Sequence, residues 1–369
     1  MNCNKIHQKM EDNSNELMLK IFNNYNNHEN AILSSNSVFD LLRVLLIAAD
    51  EKSLDKFDEN VQNAINHISS SSLEKSMVVC LVPENEKYYI DANFIQRVKE
   101  TFIGKNTHFM MKGIDEIENI NKTAKIYLGE CIFKKPFTND IKYVFCSKNL
   151  FTAQWEYYFD SGYTERGNFF ILPNKTKEVL MMKKSNIYIK SFISKFGKLQ
   201  CNVYKFKYQQ KHCMIVILPD NIYTGKDLNN HIIPHMSDIM KSFKNEKLLV
   251  KYDEVYMPKF KFEKEYDLNE IFDKIPNLDL FIKNDLNYSK MLLNKIVSAK
   301  NIDFKLNIEI ENNEIGTKVM ATSECYMYDS YHREPNKVIK LNRPFVYGIY
   351  DESNDKILYV GTLTDPSLN

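Results

Sequence analysis

The chain has 369 residues, enough for two ordinary domains or one large one with a substantial buried core. Lys and Arg together number 49 against 48 Asp and Glu, a formal net charge of +1, so no global field draws the protein to nucleic acid or to an anionic membrane. Seven cysteines, Cys3, Cys80, Cys131, Cys146, Cys201, Cys213 and Cys325, are odd in number and show no CxxC and no metal-like pairing with histidine, which predicts reduced thiols and no metal site.

No amino-terminal apolar stretch resembles a signal peptide, and no run has the length of a membrane span. The expectation is a cytoplasmic, monomeric chain with no cofactor, no nucleic-acid partner and no membrane partner; export, if any, would use a route without a signal peptide. Asn-X-Ser/Thr motifs at Asn121, Asn174 and Asn287 matter only in a secreted chain and are discounted.

The spacing of Leu17, Met18, Ile21 and Phe22 predicts a helix over Asn13 to Asn24, started by a Ser/Asn cap. After a short strand "AILSS", the stretch "NSVFDLLRVLLIAADEKS" reads as a helix apolar nearly all round, which must be buried as the spine of the core. Residues 52 to 76 are more polar and helical with a break at "ISSSS"; a strand "SMVVCLV" and a helix "IDANFIQRVKETF" follow. The first third is therefore mostly helical.

From "IKYVFCSKNLFTAQWEYYF" onward the pattern is strand after strand: "KTKEVLMMKK", "NIYIKSFI", "KLQCNVYKFKY", "HCMIVILP", "EKLLVKYDEVYMPKFKF", "NIDFKLNIEIE", "NKVIKLNRPFVYGIYDE" and "KILYVGTLT". These are rich in β-branched and aromatic residues and bounded by turn formers. No repeat, linker or low-complexity tract divides the halves, which predicts one α+β domain over 1–369 with helices packed on a large, mainly antiparallel sheet. The runs "FKYQQKHC" and "MPKFKFEKEY" alternate lysines with aromatics, as a single-stranded nucleic-acid surface would, but alternation at period two is more simply one wet strand face. His212 beside Cys213 lies in an apolar strand whose neighbouring side chains face opposite ways and cannot share a metal. No Gly-rich phosphate loop, GxSxG, HExxH or Cys/His/Asp arrangement supports an enzyme.

Several segments together resemble the serpin family over essentially the whole chain. "ILSSNSVFDLLRVLLIAAD" is similar to its amino-terminal strand and buried helix, and "FTAQWEYYF" to a strand end that places Trp155, which the resemblance implies to be a shutter or breach residue. "TKEVLMMKK" resembles the segment ending in paired methionines, Met181 and Met182, and "MIVILPD" the strand before an aspartate turn. "YMPKFKFEKEYDLNEIF" resembles the Pro-Lys-Phe strand and its helix, and "RPFVYGIYDESNDKILYVGTLTDP" the carboxy-terminal hairpin. The resemblance implies the serpin fold, with smaller sheets beside the large one and an exposed reactive-centre loop. It also implies a suicide inhibitor with no catalytic group of its own: a serine or cysteine protease attacks the loop, forms an acyl-enzyme, and is trapped as the cleaved loop enters the central sheet.

The loop so implied is "NNEIGTKVMATSECYMYDSYHREPNK", residues 312 to 337, several times the length of an ordinary hairpin connection of about two to five residues. Its reactive-centre part covers about 314–337. "EIGT", Glu314 to Thr317, matches the hinge, which takes in Gly316 and continues through Val319 and Ala321. Counted from Thr317, one strand face would carry Thr317, Val319, Ala321, Ser323, Cys325 and Met327, all small or apolar. The other would carry Lys318, Met320, Thr322, Glu324, Tyr326 and Tyr328. The family's usual spacing from the hinge puts the reactive bond between Ser330 and Tyr331; counting back from Arg343-Pro344-Phe345 gives Arg333, and a one-residue shift gives Asp329.

The sequence also departs from the family. Val319 and Met320 stand where inhibitors favour alanine-like residues. Ser34 and Ser37 match two shutter serines, but Ser35 replaces the usual proline, Ser147 an asparagine, and Phe304 or Leu306 a histidine. These departures keep open a non-inhibitory member acting as a binding or interaction module.

Overall fold

The computed structural model describes residues 3–25, 29–66, 73–103, 105–134, 143–243, 248–283, 286–317 and 337–367. They form two compact units. Met1–Tyr25, Ser34–Leu150 and Lys264–Ile308 make the first; Asn26–Leu33, Phe151–Glu263 and Glu309–Asn369 make the second.

In the first unit the helix Ser35–Ala48 starts where the Ser34 hydroxyl accepts the Ser37 N–H at 3.2 Å, satisfying one of the donors that a helix start leaves free. Almost every residue of this helix is buried, as its composition predicts. Its two charges are buried as well, which hydropathy did not suggest: Asp40 is 3% and Arg43 0% exposed. They survive burial because they pair with each other. The second Asp40 oxygen accepts the Ser76 hydroxyl at 3.0 Å and the Thr107 hydroxyl at 3.4 Å.

Four strands follow one another in the order Thr107–Gly113, Glu74–Val82, Tyr143–Phe151, Ile302–Asn312, of which this unit holds the residues up to Leu150 and Ile308. The first two run parallel, because the helix Ala92–Thr101 carries the chain across between them. Ile302–Leu306 also run parallel to Tyr143–Ser147. Met77, Val79 and Leu81 of one strand bury against Ile120, Ala124 and Leu128, a spacing of four that lines one face of the helix Ile117–Leu128. Gly129 ends that helix in the left-handed conformation, φ 82°.

The second unit is built on a sheet whose order is Ala31–Ser34, Lys356–Leu363, Phe345–Asp351, His212–Pro219, Leu199–Lys207, Lys175–Phe196, Leu249–Pro258, Val338–Lys340, with Glu165–Leu172 also paired to Lys175–Phe196. The neighbouring strands from Lys356–Leu363 to Leu249–Pro258, and Glu165–Leu172 on Lys175–Phe196, pair antiparallel, whereas Glu254–Tyr256 and Val338–Lys340 run parallel. The two expected strands "KTKEVLMMKK" and "NIYIKSFI" are one strand of 22 residues. Asn186, the first residue of the second, takes a left-handed φ of 54°, which asparagine tolerates better than most residues, and the strand runs on through it. The aromatics of the lysine-rich runs that fall in this unit point inward: Phe206, Tyr208, Phe260 and Phe262 are buried, while Lys207 and Lys261 are exposed in part. Two short helices, Gly225–Ile232 and Met236–Ser242, also belong to this unit.

Candidate functional site

The residues expected to form a hinge leave the end of the strand Ile302–Asn312 through a tight turn. The Asn313 side-chain oxygen accepts the Ile315 and Gly316 N–H groups at 3.1 and 3.2 Å, and the Asn313 N–H donates to the Gly316 carbonyl at 2.9 Å. An asparagine that hydrogen-bonds the backbone two residues on is a common way to fix such a turn. Gly316 and Thr317 then pair antiparallel with Gln154 and Ala153 on one side, and Thr317 pairs with Asn312 on the other. The chain beyond Asn313 thus already occupies two residues of a strand between two others.

Gly316 is required by close approach. A Cβ there would meet the Ala153 carbonyl oxygen at 1.9 Å and the Gln154 Cα at 2.8 Å, both backbone atoms. Thr317 is 3% exposed, and its hydroxyl shares a 2.6 Å hydrogen bond with Tyr208. The Tyr208 ring stacks on Trp155 at 4.4 Å between centroids and 13° between planes. Trp155 in turn donates its indole N–H to the Asn313 carbonyl at 3.0 Å and its backbone N–H to the Ile315 carbonyl at 2.8 Å. Trp155, which the resemblance implies to be a shutter or breach residue, supports this turn with both its polar and its aromatic groups.

Glu314 is held from three sides. Its carboxylate pairs with Lys259 at 2.9 Å and accepts the Thr164 hydroxyl at 2.8 Å, while its carbonyl accepts the Phe159 N–H at 2.8 Å. Burial pushes the Glu314 carboxyl up, but the bonds from Lys259, the backbone and Thr164 outweigh it and hold the group below its ordinary 4.5. The stabilisation of this turn by the carboxylate is thus present above that value and lost as pH falls through the lower value of the folded protein. We expect acid titration below about pH 4.5 to change the emission of Trp155, the chain's single tryptophan, and Glu314→Gln to abolish that transition.

In the first unit, the expected shutter residues Ser34 and Ser37 meet through the helix cap described above. The Ser37 hydroxyl itself has no partner among the described residues, and neither does that of Ser147. Ser147 lies directly opposite Leu306 in the parallel ladder, and Phe304 opposite Phe145; all four are buried. Ser147 thus carries a lone buried hydroxyl against an apolar neighbour. Ser147→Ala should therefore stabilise the protein by about 1 kcal/mol, read as a higher urea midpoint.

Val319, Ala321, Asp329, Ser330, Tyr331 and Arg333 lie outside the described residues. The chain is next described at Lys337, whose N–H donates to the Asp253 carboxylate at 3.0 Å before Val338–Lys340 joins the sheet edge. Tyr208, Lys259, Thr164 and Asn313 were missed as supports of the hinge. The signal for Tyr208 was the period-two alternation of "FKYQQKHC", which assigns it to the buried face.

A family model described as serpin (serine protease inhibitor) matches residues 12–366. Bovine serpin A3-1 is 27% identical over 223 residues, 59% of this chain and 49% of that protein. Rat protein Z-dependent protease inhibitor is 25% identical over 221 residues, 59% and 48%. The chain spans about half the length of these curated relatives. Serine proteinase inhibitor 2 of Myxoma virus is 24% identical over 338 residues, 91% of this chain and 95% of the viral one. Among solved structures, human glycosylated kallistatin superposes with a TM-score of 0.78 at 19% identity, covering 98% of each chain. Thyroxine-binding globulin in complex with thyroxine superposes with a TM-score of 0.74 at 17% identity, covering 97% and 99%.

These comparisons overturn the cytoplasmic, intracellular placement expected from the sequence. Bovine serpin A3, protein Z-dependent protease inhibitor, kallistatin and thyroxine-binding globulin are extracellular plasma serpins, and kallistatin was solved in its glycosylated form. The physical reason is that reduced thiols did not report the compartment: Cys80, Cys146, Cys201 and Cys213 are buried in the core, where packing alone keeps them single. The α+β architecture, the structural matches and a family model running from residue 12 to residue 366 agree, and the chain belongs to the serpin family.

Proposed function

We propose that the chain is a single serpin domain acting as a suicide inhibitor of a serine or cysteine protease, with residues 314–337 as its reactive-centre loop. One observation carries this reading. Gly316 and Thr317 already stand as the first two residues of a strand between Asn312 and Ala153–Gln154, and the residues after them alternate small or apolar side chains with polar ones. Further insertion requires the strand Ile302–Asn312 to part from its neighbour, because Ile302–Leu306 now pair directly with Tyr143–Ser147. The inhibitory names of the viral and protein Z-dependent relatives agree with this reading. Val319 and Met320 are larger than inhibitors favour and would slow insertion, which favours the binding-module alternative.

The test is a covalent complex, stable to denaturing electrophoresis, with one member of a panel of serine and cysteine proteases. With Ser330 before the cleaved bond, the released piece begins at Tyr331 and has 369 − 330 = 39 residues. A piece of 369 − 333 = 36 residues would instead assign Arg333 and a trypsin-like target, and one beginning at Ser330 would assign Asp329 and a caspase-like one. Cleavage without any complex would overturn the inhibitory reading.

A further inference from the structure

Buried polar residues of the first unit form a seam that does not include the expected shutter serines Ser34 and Ser37. Along the helix Ser35–Ala48, Asn36, Asp40 and Arg43 follow one another at spacings of four and three, which places them on one face. Glu74 and Ser76 share one face of the strand they meet. Asn36 donates to one Glu74 oxygen, and Asn149 of the next strand donates to the other at 3.2 Å. Asp40 pairs with Arg43 and accepts the Ser76 hydroxyl, which shares a 2.8 Å bond with that of Thr107, its cross-strand partner. Two carboxylates, 3% and 4% exposed, thus tie three neighbouring strands to one helix.

The fourth strand, Ile302–Asn312, takes no part in these bonds. Asn269 of the helix Leu268–Phe272 holds it instead, accepting the Phe304 N–H at 2.9 Å and donating to the Ile302 carbonyl at 3.0 Å. Where the two groups of strands meet, Phe145 stands opposite Phe304 and Ser147 opposite Leu306. Entry of a new strand requires this ladder to part. The three strands can slide over the helix Ser35–Ala48 only by breaking the bonds at Asp40 and Glu74, and a buried carboxylate stripped of its donors is costly. We propose that the seam is a latch on the sheet: Asp40 and Glu74 are positioning residues that hold the three strands to the helix and so set the rate at which the ladder to Ile302–Leu306 opens, a role that rests on the loop-insertion reading.

A labelled peptide with the sequence of residues 317–330, offered to the full uncut chain, reads the opening directly as label that stays with the protein on a native gel. Ser76→Ala removes the hydroxyl and leaves the Asp40–Arg43 pair in place. It should quicken uptake about ten-fold, the rate equivalent of one hydrogen bond to a charged group. Thr107→Val, nearly the same shape, should quicken it about three-fold, and decides the matter should Ser76→Ala fail to fold. Ser76→Thr, which keeps the hydroxyl, should take up peptide as the unaltered chain does. Val98→Ala, a core change in the helix Ala92–Thr101 outside the seam, should lower the urea midpoint without quickening uptake, which general loosening would not allow. Uptake at one rate by the unaltered chain, Ser76→Ala and Thr107→Val overturns the latch, as does equal quickening by Val98→Ala or no uptake by any of these chains. The insertion reading falls separately, to a thermal midpoint that nicking the loop leaves unchanged.

Discussion

Cutting the chain once anywhere between Tyr326 and Pro335 should raise the thermal midpoint by on the order of 20 °C. The inward face that follows Thr317 offers Val319, Ala321, Cys325 and Met327, and burying each stabilises by roughly 1–2 kcal/mol. The new strand also gains two rows of backbone hydrogen bonds, each contributing about 1 kcal/mol net, against the entropy of ordering the segment. A gain of about 10 kcal/mol shifts the midpoint of a chain this long by about 2 °C per kcal/mol. The uncut chain cannot make the same gain, because Lys337 is held at Asp253 and Val338–Lys340 at the sheet edge, so the loop is tied at both ends. Native and nicked protein compared by calorimetry give the answer. An unchanged midpoint would remove stored strain as the driving force and leave the binding-module reading in its place.

Much of this arrangement was legible in the sequence because it depends on short-range pattern. The strand Ile302–Asn312 alternates buried and partly exposed residues along its length, and period two is what a half-buried strand requires. The helix Ser35–Ala48 was legible from its apolar run and its serine cap. Its buried Asp40–Arg43 pair was not, because only tertiary placement brings the Ser76 and Thr107 hydroxyls to the carboxylate. The long strand through Asn186 read as two because a single left-handed residue looks like a turn when its partners are unknown. At the hinge, "EIGT" could be matched to a family motif. That Glu314 is held by Lys259 and Thr164, 55 and 150 residues away in sequence, could not, since no local rule links them. Compartment was misread for a related reason: a thiol's redox state in the core reflects burial, and burial is a property of the fold.

Thr317→Arg should convert inhibition into simple cleavage. The threonine is 3% exposed and its hydroxyl is engaged by Tyr208, a ring that burial holds in its neutral, un-ionised form. An arginine there would place a guanidinium against Tyr208 and Trp155. A buried charge without a counter-ion costs several kcal/mol, so the side chain would instead swing outward and take Thr317's strand pairing with it. The first step of insertion is lost, while the exposed part of the loop keeps the residues a protease reads. The expected result is unchanged or faster cleavage by the target, with the yield of covalent complex falling by about ten-fold or more, since a ten-fold change in partition needs only about 1.4 kcal/mol. Thr317→Ser, which keeps the hydroxyl and removes only a methyl, should retain trapping. If the arginine variant trapped protease as well as the unaltered chain, Thr317 would not stand at the start of the inserted strand, and the register counted from it to Ser330 would fall with it.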